Sequence, residues 1–306
     1  MTAHTDRHGP GGGRPTARGL RRALRREVPS TVGLLADEED FAAMRAYRTF
    51  VFDDHATYLR HTGSVLQQLA ARELHTRVAL FDPQDYEWDC AATGSDPDCP
   101  ARRARWTADI AAGGGAVVPY TGEPLGILLP MLVDTAVRRA TQAYATAILA
   151  GLGSCAHCDE DIGRAALDHA SALLRRLLDR AGPGVHQLVC SAPAADDPLV
   201  GVLRAEQPGG PPLLDDGPAA EFATVLAVAV ALDTPAGIVM RTVADAVPDR
   251  LHGWRLSRGR LLPLSAAEVF NAYCTDAETG EPIGPEPGVD YRAGFDLGPG
   301  EEEFGH

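Results

Sequence analysis

The stretch "AYRTFVFDDHATYLRHTGSVLQQLAARELHTRVALFDP" (46–83) carries the strongest fold signal in this sequence. Residues 46–52 are aromatic and β-branched and predict a buried strand, and residues 76–81 predict a second strand. Between them, residues 53–73 predict a helix, because side chains that could face a core recur at helical spacing: Tyr58, Leu59, Thr62, Val65, Leu66 and Leu69. The stretch therefore predicts a strand, a helix and a strand in succession.

The same alternation continues toward the C-terminus. Residues 99–115 predict a helix that stops at glycines, and residues 116–120 predict a third strand. Strands and helices that alternate with short links are typical of parallel crossover units, which are almost always right-handed. Two further helices are predicted at about 124–150 and 160–181.

The pattern changes after Gly182. Strands are predicted at 185–193, 199–206, 236–243 and 252–264, with an apolar helix at 219–232 and a capping box at "SAAE" (265–268) that opens a last helix. The sequence therefore predicts an α/β fold, with an N-terminal parallel βαβαβ sheet followed by helices and an antiparallel α+β C-terminal half. The predicted divisions are a disordered basic arm (1–28), an α/β domain (29–182), an α+β domain (183–274) and an acidic irregular tail (275–306). One mixed sheet that runs through both halves is the alternative.

The charge of the chain is distributed unevenly. The net charge is −14, yet residues 1–26 hold seven arginines and one acid, and residues 275–306 hold nine acids and one arginine. The acidic body repels phosphate backbones, so only the arm is expected to contact nucleic acid. The arm is interpreted either as a contact for an acidic partner or as a solvated tail.

Some kinds of chemistry are excluded by composition. The sequence contains no lysine, which excludes a Walker A phosphate loop, a Schiff base and a Ser-Lys dyad. The N-terminus lacks the apolar run of a signal peptide, and the apolar stretch 222–232 is shorter than the roughly 20 residues that span a bilayer. A cytoplasmic protein that does not enter the membrane is expected.

The stretch "GSCAHCDED" (153–161) contains a CxxC pair between two predicted helices. A structural zinc ion needs four ligands, and this pair supplies two. Cys90 and Cys99 would supply the others if their loop folds against the helix corner. The sequence thus predicts a helix corner and a possible zinc site at Cys155, Cys158, Cys90 and Cys99, with cysteines that bind no metal as the alternative.

Aspartates follow both strands of the opening stretch. Asp53 and Asp54 come after residues 46–52, and Asp82 comes after residues 76–81. If the strands are parallel neighbours, these carboxylates meet at the carboxyl edge of the sheet and could bind Mg²⁺ as candidate catalytic residues. The alternative is that Asp54 caps a helix and that Asp82 merely precedes a proline.

The chain, most clearly in residues 253–295, resembles a group of uncharacterised actinobacterial proteins. The resemblance implies a cytoplasmic protein and no particular activity. Two functions are therefore considered: a binding or regulatory protein for an unknown protein partner or small molecule, and a divalent-metal-assisted enzyme acting on a phosphorylated or nucleotide-like small molecule.

Overall fold

The structure is a computed structural model, and it describes residues 30–194, 198–243, 248–276, 279–298 and 304. The predicted basic arm, residues 1–28, lies outside the described residues. The chain forms two compact units, which meet along the chain between Val137 and Arg138. Gly182, the predicted domain boundary, therefore lies inside the second unit.

The first unit is an α/β unit with a three-stranded sheet. Its elements are β1 (Ser30–Leu34), α1 (Glu38–Met44), α2 (His55–Ala71), β2 (Thr76–Leu80), α3 (Pro83–Thr93), α4 (Pro100–Ala112), β3 (Val117–Pro119) and the start of α5 (Leu125–Gly151). The strand order is β1-β2-β3. β1 and β2 are parallel, with Ser30 opposite Thr76 and Leu34 opposite Leu80.

Two details of the predicted N-terminal sheet were wrong. Residues 46–52 form turns and irregular backbone, and the first strand is instead β1, which begins just after the predicted arm. The aromatic residues that suggested a strand are used in packing, since the rings of Phe50 and Phe52 lie 5.8 and 5.3 Å from the ring of Tyr58. β3 is antiparallel to β2, so the sheet is mixed and not all parallel.

The core of the first unit is largely aromatic. Phe41, Tyr58, Phe81 and Tyr86 are buried there beside aliphatic side chains of β1, β2 and α5. The predicted helix over 53–73 is confirmed as α2, which buries Tyr58, Thr62 and Leu66 on one face. α2 begins directly after the irregular segment, and Tyr58 on its inner face packs against the rings of Phe50 and Phe52 in that segment.

The second unit is built on an antiparallel sheet, as predicted. Besides the end of α5 it contains α6 (Ile162–Ala181), β4 (Gly184–Ala192), β5 (Leu199–Gln207), β6 (Leu213–Leu214), α7 (Asp216–Leu232), β7 (Ala236–Val243), β8 (Asp249–Ser257), β9 (Arg260–Pro263), α8 (Ala266–Tyr273) and β10 (Val289–Tyr291). The strand order is β10-β8-β7-β4-β5-β6, with β9 paired to β8. β10 is the exception in direction, since it runs parallel to β8.

The core of the second unit lies between this sheet and two helices. Every residue of α7 from Phe222 to Val230 is buried, as the continuous apolar run predicts. α6 contributes four buried leucines to the same core as β4 and β5: Leu173, Leu174, Leu177 and Leu178. The predicted α/β fold class, with an N-terminal sheet, intervening helices and a C-terminal antiparallel sheet, is confirmed.

The C-terminal segment is irregular over much of its length, but it packs tightly against β8. Gly294 N donates to Leu264 O (2.9 Å), and Trp254 Nε1 donates to Phe295 O (3.0 Å). A Cβ atom at Gly294 would collide with Gly253 O, so this crossing requires glycine. Leu297 is buried in the core of the second unit. Residues 294–297 therefore complete this core.

Candidate functional site

The first unit contains a pocket at the carboxyl ends of its two parallel strands. Its volume is about 170 Å³. We call it the strand-end pocket and define it by the residues that line it: Gly33, Leu35, Met44, Phe50, Tyr58, Phe81, Arg103, Ala104 and Thr107. In open α/β sheets, the carboxyl ends of parallel strands are where ligands commonly bind.

Tyr58 fixes one wall of the strand-end pocket. Its hydroxyl accepts a hydrogen bond from Leu35 N (3.2 Å) and donates one to Gly33 O (3.3 Å), so it is tied to the end of β1. Burial raises the pKa of Tyr58, and the hydroxyl therefore stays protonated at neutral pH. The ring packs against Phe41, Phe50 and Phe52 at centroid distances of 5.3–6.0 Å. These contacts hold the aromatic wall in place.

Arg103 on α4 forms part of the opposite wall. Its Nη1 donates to Pro97 O (3.2 Å), and its Nη2 donates to Thr49 Oγ1 (2.7 Å). The guanidinium carbon also lies 6.0 Å from the centroid of the Tyr47 ring. The pocket thus combines aromatic and aliphatic walls with one half-buried cation.

Acidic residues follow the strands that end at this pocket. Asp37 comes after β1 and caps α1 by accepting from Asp40 N (2.9 Å). Asp82 comes after β2 and caps α3 by accepting from Gln84 N (2.8 Å) and Asp85 N (3.1 Å). Burial, together with the charges of Asp37, Asp82 and Glu39, raises the pKa of Asp40 from 3.8 to about 6. The carboxyl edge of the parallel pair is therefore acidic, but the acids that cap helices are already engaged.

The raised pKa of Asp40 leads to a pH-dependent prediction. The folded state binds this proton more tightly than the unfolded state, so the carboxyl opposes folding as the pH rises from 3.8 to about 6, and the penalty is complete above that range. At pH 7.5 we expect Asp40→Asn to increase the free energy of unfolding by about 1 kcal/mol, once solvent screening of this half-buried carboxyl is considered. Such an increase raises the melting temperature by a few degrees. The gain should shrink toward zero at pH 4.

Thermal unfolding of both proteins from pH 4 to 8 measures this difference. Asp53→Asn, at an exposed position in the loop before α2, is the matched control for the loss of one negative charge. A stabilisation by Asp40→Asn that is equal at pH 4 and pH 7.5 would contradict the assigned cause.

The candidate acids do not follow two parallel strands, as that hypothesis required, because residues 46–52 do not form a strand. Asp53 is exposed in the loop before α2. Asp54 caps α2: it accepts from Thr57 N (2.7 Å) and Thr57 Oγ1 (2.8 Å), and these bonds lower its pKa. Asp82 caps α3. Only Asp82 follows a strand, because residues 46–52 are not one, and the assumed geometry of parallel neighbours was therefore wrong.

Asp37 follows β1 just as Asp82 follows β2, its parallel neighbour. Asp37 was not among the predicted site residues. The run "STVGLLAD" (30–37) held the signal, since it places an aspartate after an apolar stretch just as residues 76–82 do. The residues of the strand-end pocket were not identified as a site either. They are scattered over 75 positions of the chain, from Gly33 to Thr107, and only the fold brings them together.

The CxxC stretch forms a compact corner between α5 and α6, as predicted. Cys155 N donates to Glu160 O (2.8 Å), Ile162 N donates to Gly153 O (3.0 Å), and Asp161 caps α6. Cys155 is buried and Cys158 is exposed, and both belong to the second unit. Cys90 and Cys99 belong to the first unit, on α3 and before α4.

Within the described part of the chain, no group of three or more His, Cys, Asp and Glu side chains is arranged to hold a metal ion. The zinc site at Cys155, Cys158, Cys90 and Cys99 stays a prediction, which the zinc content of purified protein tests.

No helix among the described residues has the length and apolar character needed to cross a membrane.

Comparison with known proteins places the strand-end pocket in a recurring domain. Residues 19–123 match a domain of unknown function, DUF8829. The match covers about a third of the chain and includes every residue that lines the pocket. It agrees with the resemblance to uncharacterised proteins noted in the sequence. No curated protein and no solved structure matches the chain significantly.

Proposed function

We propose that this chain is a binding protein whose ligand is a small molecule held in the strand-end pocket. The observation that carries the proposal is the position and chemistry of that pocket. It lies where two parallel strands end, its walls are mainly apolar and aromatic, and a single arginine provides a polar contact. Small-molecule sites have this composition, with few polar groups among many apolar ones.

The side chains of the pocket are held in place before any ligand binds. Tyr58 is anchored by two hydrogen bonds, Arg103 by two more, and Thr107 Oγ1 donates to Arg103 O (3.0 Å). A ligand that enters would therefore order few new side chains, which lowers the entropic cost of binding. The walls fit a preformed binding site better than an accidental gap in packing.

The metal-assisted enzyme has less support. It required carboxylates from two parallel strands at one open rim, and Asp54 and Asp82 instead cap the helices α2 and α3. A carboxylate that accepts backbone N–H groups has part of its ligand capacity already used. These contacts favour the binding function, and no observation in the described residues favours catalysis by Asp53, Asp54 and Asp82.

Blocking the pocket tests the proposal. Ala104 is exposed and lines the pocket, so Ala104→Trp should fill it without disturbing the core. Ala92→Trp, at an exposed position of α3 outside the pocket, is the matched control. The measurement is a thermal-shift screen of one-ring probes such as benzoate, benzamide and benzyl alcohol. A probe that binds the native state must raise the melting temperature, and we expect this shift in wild type and in the control.

We expect the Ala104→Trp variant to lose most of that shift while its melting temperature without probe stays close to wild type. Equal shifts in all three proteins would show that the probes bind elsewhere. No shift for any of these probes in wild type, together with no shift from a wider set of small apolar compounds, would contradict the proposed function.

A second contact is proposed for the N-terminal arm, residues 1–28. Its seven arginines favour an acidic partner, either a protein or a polyanion, and such contacts weaken as salt screens the charges. We expect deletion of residues 1–28 to weaken binding to heparin, used as a polyanionic probe, by at least tenfold at low salt. Binding that is unchanged in strength and in salt dependence would remove the arm from the proposal.

The proposal places the protein in the cytoplasm of an actinobacterium. This part rests on the resemblance of residues 253–295 to actinobacterial proteins. Cell fractionation of a tagged chain in such a bacterium tests the location.

A further inference from the structure

Arg103 differs from the arginines around it in how its charge is balanced. The others each pair with carboxylates: Arg48 with Asp98, Arg102 with Asp89 and Asp109, and Arg105 with Asp109. Arg103 donates to two neutral oxygens, Pro97 O and Thr49 Oγ1. Among the described residues it thus makes no direct ion pair, although its side chain is half-buried against an aromatic pocket.

Arg103 is linked to a carboxylate, that of Asp98, through Thr49. Thr49 Oγ1 accepts from Arg103 and donates to Asp98 Oδ1 (2.7 Å). Asp98 also accepts from Thr49 N (2.9 Å) and from Arg48 Nε (3.3 Å), and these bonds lower its pKa. Asp98 is therefore already engaged with Thr49 and Arg48, and the guanidinium of Arg103 keeps donor capacity, because only two of its five N–H groups are used.

The polar groups on the Tyr58 side of the pocket offer no competing contact. The Tyr58 hydroxyl is engaged with Leu35 N and Gly33 O, so both its donor and its principal acceptor direction are occupied. A polar substituent of a bound ring therefore finds its donors at Arg103. The acids at the strand ends, Asp37, Asp40 and Asp82, are not among the residues that line the pocket, so Arg103 is the charged group on its wall. Because a charged acceptor forms a stronger hydrogen bond with guanidinium than a neutral one, an anionic substituent is favoured at Arg103.

The strand-end pocket is open to solvent on one side, and its volume is about 170 Å³. This is close to the volume of about 150 Å³ that holds a benzene ring in a closed cavity, so a single ring fits between its walls. Rings pack edge-to-face or offset on aromatic walls such as Phe50 and Tyr58, and the thioether of Met44 favours contact with a ring edge.

Size, walls and charge together specify a ligand class. We infer that the strand-end pocket binds a one-ring aromatic carboxylate, with the ring between the aromatic walls and the carboxylate on Arg103. The inference rests on the proposed function, since it names the ligand class of the same pocket. It adds the requirement that binding depends on a negative charge next to the ring.

Three probes separate the ring from the charge. Benzoate carries both, benzamide carries the ring with a neutral substituent of similar shape, and acetate carries the charge without the ring. We expect wild type, measured by calorimetry or ligand-observed NMR, to bind benzoate about tenfold or more tightly than benzamide, as a hydrogen bond to a charged group predicts. Acetate should not bind detectably.

Substitution of Arg103 then tests where the selectivity comes from. Arg103→Met keeps the aliphatic stem and should bring the affinities for benzoate and benzamide close to each other. Arg105→Met is the matched control, because Arg105 is exposed and lies two residues further along the same helix. This variant should keep the preference for benzoate. If circular dichroism shows that Arg103→Met is unfolded, Arg103→Gln, which keeps a polar side chain without the charge, takes its place and should also bring the two affinities close to each other.

The outcomes distinguish this inference from the proposed function. Equal affinities of wild type for benzoate and benzamide, with binding that Ala104→Trp abolishes, would overturn the carboxylate ligand and leave the pocket as a ring site. A preference for benzoate that survives Arg103→Met or Arg103→Gln would also overturn it. Failure of both ring probes to bind wild type would overturn the carboxylate inference and count against the pocket.

Discussion

Replacing Trp254 by alanine is expected to lower the free energy of unfolding of the second unit by about 3–5 kcal/mol, the usual cost of truncating a large buried aromatic side chain. Trp254 is fully buried in β8, and its ring lies 4.9 Å from the ring of Phe295. Its Nε1 donates to Phe295 O. The truncation therefore opens a cavity and also leaves a carbonyl of the C-terminal segment without its donor.

Urea unfolding followed by far-UV circular dichroism measures this loss, since Trp254 itself is removed as a fluorophore. Trp254→Phe is the control that keeps a ring and loses the hydrogen bond, and we expect it to cost roughly 1–2 kcal/mol. In limited proteolysis, the C-terminal segment that follows Tyr291 should be cleaved more rapidly in Trp254→Ala than in wild type. Two variants of equal, wild-type stability would mean that the C-terminal segment does not complete the core.

The second large effect is expected at Tyr58. Tyr58→Ala should lower the free energy of unfolding of the first unit by about 3–5 kcal/mol, because a buried ring that contacts Phe41, Phe50 and Phe52 is lost. Tyr58→Phe keeps these ring contacts but leaves Leu35 N without the hydroxyl that accepts its hydrogen bond. A buried donor without a partner costs about 1–3 kcal/mol.

The same pair of variants separates stability from ligand binding. Tyr58→Phe preserves the aromatic wall, so its affinity for a one-ring probe should stay within about threefold of wild type, while Tyr58→Ala should lose most of that affinity. Urea unfolding and calorimetric titration provide the two measurements. A Tyr58→Phe variant that is as stable as wild type would contradict the anchoring role of the hydroxyl.

Much of the fold could be predicted from the sequence because several elements have strong local patterns. The amphipathic helix α2, the helices α5 and α6, and the apolar helix α7 follow from their spacing of apolar residues. The capping box at Ser265 and Glu268 is present with both hydrogen bonds. Strands β4 and β5 alternate between buried and exposed residues, and β7 alternates between buried and half-buried ones, which is the pattern of a sheet with one covered face.

The errors arose where tertiary contacts outweigh local preference. Residues 46–52 have β-forming side chains, but Phe50 and Phe52 pack onto Tyr58 from an irregular segment, and β-propensity mainly reflects such packing. Strand β1 is short and contains Gly33, which weakens its pattern. Two helices, α3 and α4, separate β2 from β3, and the pattern of these elements does not fix the direction in which the chain returns to the sheet.

The candidate site was harder to predict than the fold. Helix-capping aspartates and metal-binding aspartates have the same sequence signal after a strand, and the hydrogen bonds of Asp54 and Asp82 identify them as caps. The strand-end pocket depends on residues from strand β1, from the positions just after β1 and β2, from three helices and from one irregular segment, none of which stands out in the sequence. Only their arrangement indicates a ligand.

The most direct test of the strand-end pocket is a titration of isotope-labelled protein with benzoate, followed residue by residue in backbone amide NMR spectra. We predict saturable shifts that are largest at Gly33, Leu35, Phe81 and Thr107. Saturable shifts confined to residues after Val137, or spectra that do not change at any concentration up to several millimolar, would contradict the account.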